Sequence, residues 1–197
     1  MQNLGFYFDL GWHHILAWDA LDHLLFVLAL SALYLIGNWR QVVILITAFT
    51  IGHSLTLALS VFDIIRVANN WVEFLIPCTI IVTAFFNVWQ KKIKPGSVQL
   101  NYFLALFFGL IHGLGYANAI RFIMAKDQSM GWSLLGFNSG LEAGQILVVM
   151  AILLVSYLVV HLARLNQKWW IWGLSVFALC MAVRMAWERF PALLSQI

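Results

Sequence analysis

Ionisable side chains interrupt several long apolar stretches of this chain, and their types are those that bind transition metals. Asp22, His23, His53, His112 and Glu142 each lie in or directly beside a run of apolar residues. An ionisable group inside a hydrocarbon layer costs about 2.5–3.5 kcal/mol on insertion scales, so such residues are functional by default. Imidazole and carboxylate donors without a thiolate suit nickel, zinc, cobalt, manganese or iron(II), whereas calcium and magnesium prefer oxygen ligands. The pattern therefore predicts a site for a divalent transition metal, and the ligand types do not choose among these five ions.

Further candidate ligands surround Asp22 and His23. At 100° per residue, Asp19 shares an arc of about 100° with Asp22 and His23 on one helix face. His14 lies at or just before the first turn of the same predicted helix. A solvated helix start at the membrane interface is the alternative for this polar segment. Glu73 opens the third apolar stretch, where it is either a ligand or access residue or an acid that favours the helix dipole.

Hydroxyl and amide side chains accompany the candidate ligands. Thr50 and Ser54 flank His53, and the arc of about 60° that carries Glu142 also carries Asn138 and Gln145. We predict supporting roles for these four residues. Two alternatives stay open, because hydroxyls can bond to their own helix and amides can form an interhelical network. Arg184, in the last apolar stretch, is either a counter-ion for one of the acids or a side chain that reaches the interface.

The elements that must position these residues are membrane-spanning helices. Of the 197 residues, 63% are hydrophobic and only 10% are charged, and the mean hydropathy is +0.89. Soluble domains have about 25% charged residues, so this composition excludes a soluble globular domain, and the net charge of +3 excludes a nucleic-acid binder. A crossing needs about 20 apolar residues. Six stretches meet that length, at about 16–36, 41–62, 71–90, 99–119, 134–162 and 169–187.

We therefore predict an all-α, polytopic integral membrane protein, a single transmembrane domain over residues 1–197 built as a bundle of six helices. Its partners are the lipid bilayer and a metal ion, and homo-oligomerisation is left open. The positive-inside rule places the basic cluster at 91–94 in the cytoplasm and both termini outside. Gly109 and Gly113, four residues apart, predict a close approach of two helices.

Because successive spans alternate in direction, the depths of the candidate ligands can be compared at about 1.5 Å per residue. Asp22 and His23 lie roughly 10 Å from one face, His53 roughly 13 Å, and His112 and Glu142 roughly 12 Å. Random placement would scatter such residues through the ~30 Å core. The agreement predicts one shallow chamber built by several helices.

These motifs resemble the HupE/UreJ family of bacterial membrane proteins. The matching segments are His14-Ile15, Asp22-His23 with Leu25-Phe26, Phe49-Thr50 with His53-Ser54, Gly109 to Gly113 around His112, and Phe137-Asn138 with Gly140, Glu142 and Gln145. Members of that family are regarded as nickel permeases or as accessory proteins that serve hydrogenase and urease. The resemblance implies metal-related roles for His14, Asp22, His23, His53, His112 and Glu142, and the choice of nickel comes from it.

Two functions follow as hypotheses. The first is a permease for a divalent transition metal, with the ion entering from the outer face. The second is an intramembrane metal-dependent hydrolase, in which the metal activates water and Glu142 acts as the general base. A metal-relay subunit without flux is a third. The inner half of the predicted bundle is almost wholly apolar, so a permease would have to open it by a conformational change.

Overall fold

The computed structural model describes residues 2–17, 20–89, 98–124 and 130–194, and within these ranges it contains helices and no strand. The prediction of an all-α protein is therefore confirmed. The helices are α1 (Gln2–Leu16), α2 (Leu21–Ser31), α3 (Trp39–Val61), α4 (Asn69–Trp89), α5 (Val98–Met124), α6 (Met130–Tyr157) and α7 (Gln167–Leu194). A 3-10 turn at Ile36–Asn38 precedes α3, and a π-helical turn at Leu158–Leu162 continues α6.

Four of the described helical segments are long and apolar enough to cross a membrane: Ile36–Val61, Asn69–Trp89, Met130–Leu162 and Gln167–Ala192. A fifth crossing results if the bent pair α1 and α2 counts as one span. In α5, the described residues give a shorter apolar helix, Asn101–Ala117. The molecule is thus a multi-pass membrane protein with four to five crossings among the described residues, where the sequence predicts six.

The helices around the predicted first span, 16–36, have bounds that differ from those of the span. Helix α1 already ends at Leu16, and Leu4–Leu16 and Leu21–Ser31 meet at an angle of 70°. The predicted spans do not include α1, because Asp9, His13 and His14 interrupt its apolar residues. Packing makes it a helix nevertheless, since Tyr7 and Ile15 are buried against the rest of the bundle.

Glycines let the backbones of α1 and α6 touch. A methyl group at Gly11 would overlap the carbonyl oxygen of Phe137, and one at Gly140 would overlap that of Phe8. Gly136 lies against Leu4 and Gly144 against Ile15, so the two helices run parallel. This parallel contact fixes the end of α1, and with it His14, against the middle of α6.

Glycines also let the backbones of α3 and α5 touch. A methyl group at Gly52 would overlap the carbonyl oxygen of Leu106, and one at Gly109 would overlap that of Phe49. The predicted close approach at Gly109 and Gly113 is confirmed, because Gly113 lies on the His53 carbonyl in the same way. His53 follows Gly52 and His112 precedes Gly113, so this crossing sets the distance between the two imidazoles.

Helices α4 and α7 complete the bundle as an antiparallel pair. Asn70 donates a hydrogen bond to the Ala192 carbonyl at 2.8 Å, and the rings of Phe74 and Phe190 lie 5.8 Å apart. Asn87, at the other end of α4, donates to the Ala29 carbonyl at the end of α2 at 2.6 Å. These contacts place α4 and α7 beside α2 and close the fourth side of the region where the histidines lie. The basic cluster at 91–94 lies outside the described residues.

Candidate metal centre

Four histidines from four helices meet in the bundle. They are His14 of α1, His23 of α2, His53 of α3 and His112 of α5, with His23 in the centre. The ring centroid of His23 lies 5.0 Å from that of His14, 5.9 Å from that of His53 and 5.0 Å from that of His112. One ring nitrogen from each of His14, His23 and His53 lies within 4.8 Å of the other two. The structure therefore brings these four imidazoles together.

Several nitrogens of these rings are buried without a hydrogen-bond partner among the described residues. They are Nε2 of His14 and His23, both ring nitrogens of His53, and Nδ1 of His112. A buried polar atom without a partner costs about 1–3 kcal/mol, so five such nitrogens in one place favour a bound ion or water among the rings. Neutral imidazole is a common ligand for zinc, copper, iron and nickel. The donor set thus fits a transition-metal ion bound among the rings.

Asp22 lies behind His23 rather than among the imidazoles. Its Oδ1 accepts hydrogen bonds from the His23 backbone N–H at 2.8 Å and from His23 Nδ1 at 3.0 Å. Because Nδ1 then carries the proton, Nε2 keeps its lone pair and faces the other rings. Carboxylates commonly orient metal-binding histidines in this way. The structure therefore favours an orienting role for Asp22 over direct binding.

Thr79 of α4 orients the ring of His112, as Asp22 orients the ring of His23. The Thr79 hydroxyl donates to the Ile76 carbonyl at 2.7 Å, so it accepts from Nε2 of His112 at 3.0 Å. The proton of His112 consequently lies on Nε2, and Nδ1 carries the lone pair. The sequence argument missed Thr79, although a hydroxyl two residues after Pro77 in an apolar helix was a signal.

A cavity of about 300 Å³ adjoins the histidines on one side. Its polar and charged lining consists of His14, Asp22, His23, Glu73, His112, Tyr116 and Arg189. We call the cavity together with the four imidazoles the histidine chamber; His53 does not line the cavity but lies beside His23, with ring centroids 5.9 Å apart. Arg189 Nη2 lies 3.5 Å from Asp22 Oδ2, and Nη1 donates to the Glu73 carbonyl oxygen at 2.8 Å. Of the two alternatives for Arg184, the structure favours the interface side chain, because Arg184 is exposed and pairs with Glu188 at 2.8 Å, whereas Arg189 faces Asp22.

The structure does not bring Glu142 to the histidine chamber. Its Oε1 accepts a hydrogen bond from Thr47 at 2.7 Å, and Thr50 donates to Gln145 at 2.9 Å. Glu142 lines a separate open groove of about 490 Å³ between α3 and α6, together with Thr50, Ser54 and Asn138. Glu73, another predicted site residue, does line the chamber, and it is exposed. Asp19 lies outside the described residues.

Comparison with known proteins gives one match that covers most of the chain. Residues 1–189 match the family model described as "HupE / UreJ protein". No curated protein and no solved structure matches the chain.

Proposed function

Because the chain belongs to the HupE/UreJ family, we propose that it binds a divalent transition-metal ion, nickel by preference, at the histidine chamber and carries it through the membrane. The observation that supports this most is the approach of the His14, His23 and His53 ring nitrogens to within 4.8 Å of one another, inside an otherwise apolar bundle. The ion is the cargo, and the imidazoles replace its water on the way.

The ligand set suits an ion that must also leave. Structural zinc sites are closed by four protein ligands, often thiolates, whereas sites with three protein ligands keep a position open for exchange. Here His14, His23 and His53 supply three nitrogens, and His112, whose ring lies 5.0 Å from that of His23, is not part of this group. The preference for nickel over zinc comes from the family, since imidazole binds both ions.

The route away from the chamber is closed by aromatic rings. Phe26 lies one turn beyond His23 and Phe49 one turn before His53, and their fully buried rings stack at 4.8 Å. Release to the other face therefore needs a conformational change. The bent pair of α1 and α2 resembles the discontinuous helices that build the ion sites of many transporters, since it contributes His14 and His23.

The hydrolase hypothesis has less support. It assigns the general base to Glu142, and that carboxylate is hydrogen-bonded to Thr47 in the groove between α3 and α6. A general base must come within about 3 Å of the proton that it takes, directly or through one water. The carboxylate nearest the described imidazoles is that of Asp22, which already accepts from His23.

Binding of Ni²⁺ to the purified full chain, measured by calorimetry, tests the site. Replacing His53 with alanine is expected to weaken binding by at least about tenfold, because loss of even an outer partner of a ligand costs about 10–100-fold. His13→Ala is the matched control, since His13 is exposed, adjoins His14 and bonds to the Asp9 carbonyl. Equal affinity in all three proteins would refute the site.

Uptake of Ni²⁺ into liposomes tests transport separately. The wild-type protein and His13→Ala are expected to take up the ion, and His53→Ala to lose uptake. Tight stoichiometric binding without any flux by the wild type would contradict the permease and favour a metal relay.

A further inference from the structure

Arg189 of α7 is held at the mouth of the histidine chamber by a break in the hydrogen bonding of α4. Pro77 lies inside α4 and has no N–H, so the carbonyl oxygen of Glu73, four residues earlier, lacks its donor within the helix. Arg189 Nη1 donates to that oxygen at 2.8 Å. The guanidinium thus satisfies an acceptor that proline frees, which fixes its position more firmly than a surface ion pair would.

The other arm of the guanidinium points to the acid that orients His23. Arg189 Nη2 lies 3.5 Å from Asp22 Oδ2, and the two side chains are only 26% and 11% exposed. Asp22, Glu73 and Arg189 are the charged side chains among the described residues that line the chamber. An incoming dication therefore meets one fixed positive charge beside the carboxylate that would otherwise attract it.

We propose, on the basis of the proposed function, that Arg189 sets the metal affinity of the chamber. Its charge neutralises Asp22 while the site is empty and repels the bound dication, so that the ion leaves fast enough for transport. Repulsion between charges is far stronger in a partly buried chamber than in bulk water. Arg189 is a positioning residue in this account, because it acts on the ion through its charge and through Asp22 and is not a ligand.

Calorimetry with Ni²⁺ on the purified full chain tests this proposal with three substitutions. Arg189→Gln is expected to lower the dissociation constant at least about tenfold, whereas Arg189→Lys keeps the charge and stays close to wild type. Arg184→Gln is the matched control, since Arg184 lies on the same helix and pairs with exposed Glu188. It is expected to leave the dissociation constant unchanged.

Pro77→Ala gives a second, independent perturbation that keeps the arginine. Alanine restores an N–H that competes for the Glu73 carbonyl, so Arg189 loses its anchor. The dissociation constant is expected to fall, by less than in Arg189→Gln. In the background of Asp22→Asn, Arg189→Gln is expected to have a smaller effect, because the charge that Arg189 neutralises is gone.

Liposome uptake distinguishes affinity setting from a structural role. Arg189→Gln is expected to lower both KM and the maximal rate for Ni²⁺, while Arg189→Lys restores both. Weaker binding together with a lower melting temperature in Arg189→Gln would overturn the proposal and make Arg189 a structural residue. Identical affinity in Arg189→Gln and Arg184→Gln, with normal wild-type binding, would also overturn it. Failure of the proposed function has a different signature, the absence of Ni²⁺ binding by the wild type.

Discussion

Gly109→Ala is the substitution that most directly couples helix packing to the site. Gly109 lies against the backbone of α3. An added methyl carbon would overlap the Phe49 carbonyl oxygen and lie 3.0 Å from the backbone nitrogen of His53. Non-bonded carbon atoms meet at about 3.5–4.0 Å, so the two helices would have to move apart. The displaced residues include His53 on α3 and His112 on α5.

Two terms of opposite sign decide the size of the effect. Alanine favours a helix over glycine by about 1 kcal/mol, and overpacking a tight contact costs about 1–3 kcal/mol. Since the obstacle at Gly109 is backbone, which cannot rotate away, we expect the upper end of that cost. At about 2–4 °C per kcal/mol for a chain of this size, the melting temperature should fall by several degrees. The imidazoles shift as well, so the Ni²⁺ dissociation constant should rise by about tenfold.

Thermal unfolding in detergent and calorimetry with Ni²⁺ measure the two effects on one preparation. Gly173→Ala is the matched control, because a methyl group at Gly173 of α7 meets nothing within 4 Å. It should leave metal affinity unchanged and raise the melting temperature slightly. If Gly109→Ala were as stable as Gly173→Ala and bound Ni²⁺ like the wild type, the close crossing of α3 and α5 would be refuted.

Three further expectations concern the fold and the ligand. Replacing Asn87 with alanine leaves the Ala29 carbonyl without its 2.6 Å bond and should cost about 1–3 kcal/mol of unfolding free energy, measured by denaturant titration. Hydrogen bonds from Arg66 lower the pKa of Asp63 in the loop 62–68, so this pair stabilises the fold above the unfolded pKa near 3.8 and loses its effect as the pH falls through the lower folded value. Asp63→Asn should therefore unfold at a lower temperature than the wild type at pH 7 and at the same temperature in strong acid. Ni²⁺ at about 100 times its dissociation constant should stabilise the wild type by about 2.7 kcal/mol in thermal unfolding and stabilise His53→Ala much less.

The sequence predicted the meeting of histidines because depth in a membrane helix depends only on residue number. Counting from the span ends puts His23, His53 and His112 at one level, and the structure brings their rings together. Depth says nothing about the direction in which a side chain points around its helix. Glu142 shares the predicted level but points to the groove beside Thr47, because the glycines of α6 turn the opposite face toward α1.

The features that the sequence argument missed all depend on contacts between distant segments. In helix α1, Asp9, His13 and His14 interrupt the apolar residues, and close contacts of its backbone with the glycines of α6 hold it in the bundle. The choice of Arg189 over Arg184 as the partner of Asp22 follows from the freed Glu73 carbonyl, which lies more than 100 residues away along the chain. Pro77 was the one local signal of that contact, since a proline inside a helix always leaves a carbonyl that needs a donor.

X-ray absorption at the nickel edge of the Ni²⁺-loaded protein tests the central claim most directly, because it reports the atoms bound to the ion. We predict nitrogen ligands with the scattering pattern of imidazole rings from His14, His23 and His53, and the loss of one ring in His53→Ala. The His13→Ala spectrum should be identical to that of the wild type. A nickel ion bound only by oxygen atoms, with a spectrum unchanged in His53→Ala, would contradict a metal centre at the histidine chamber.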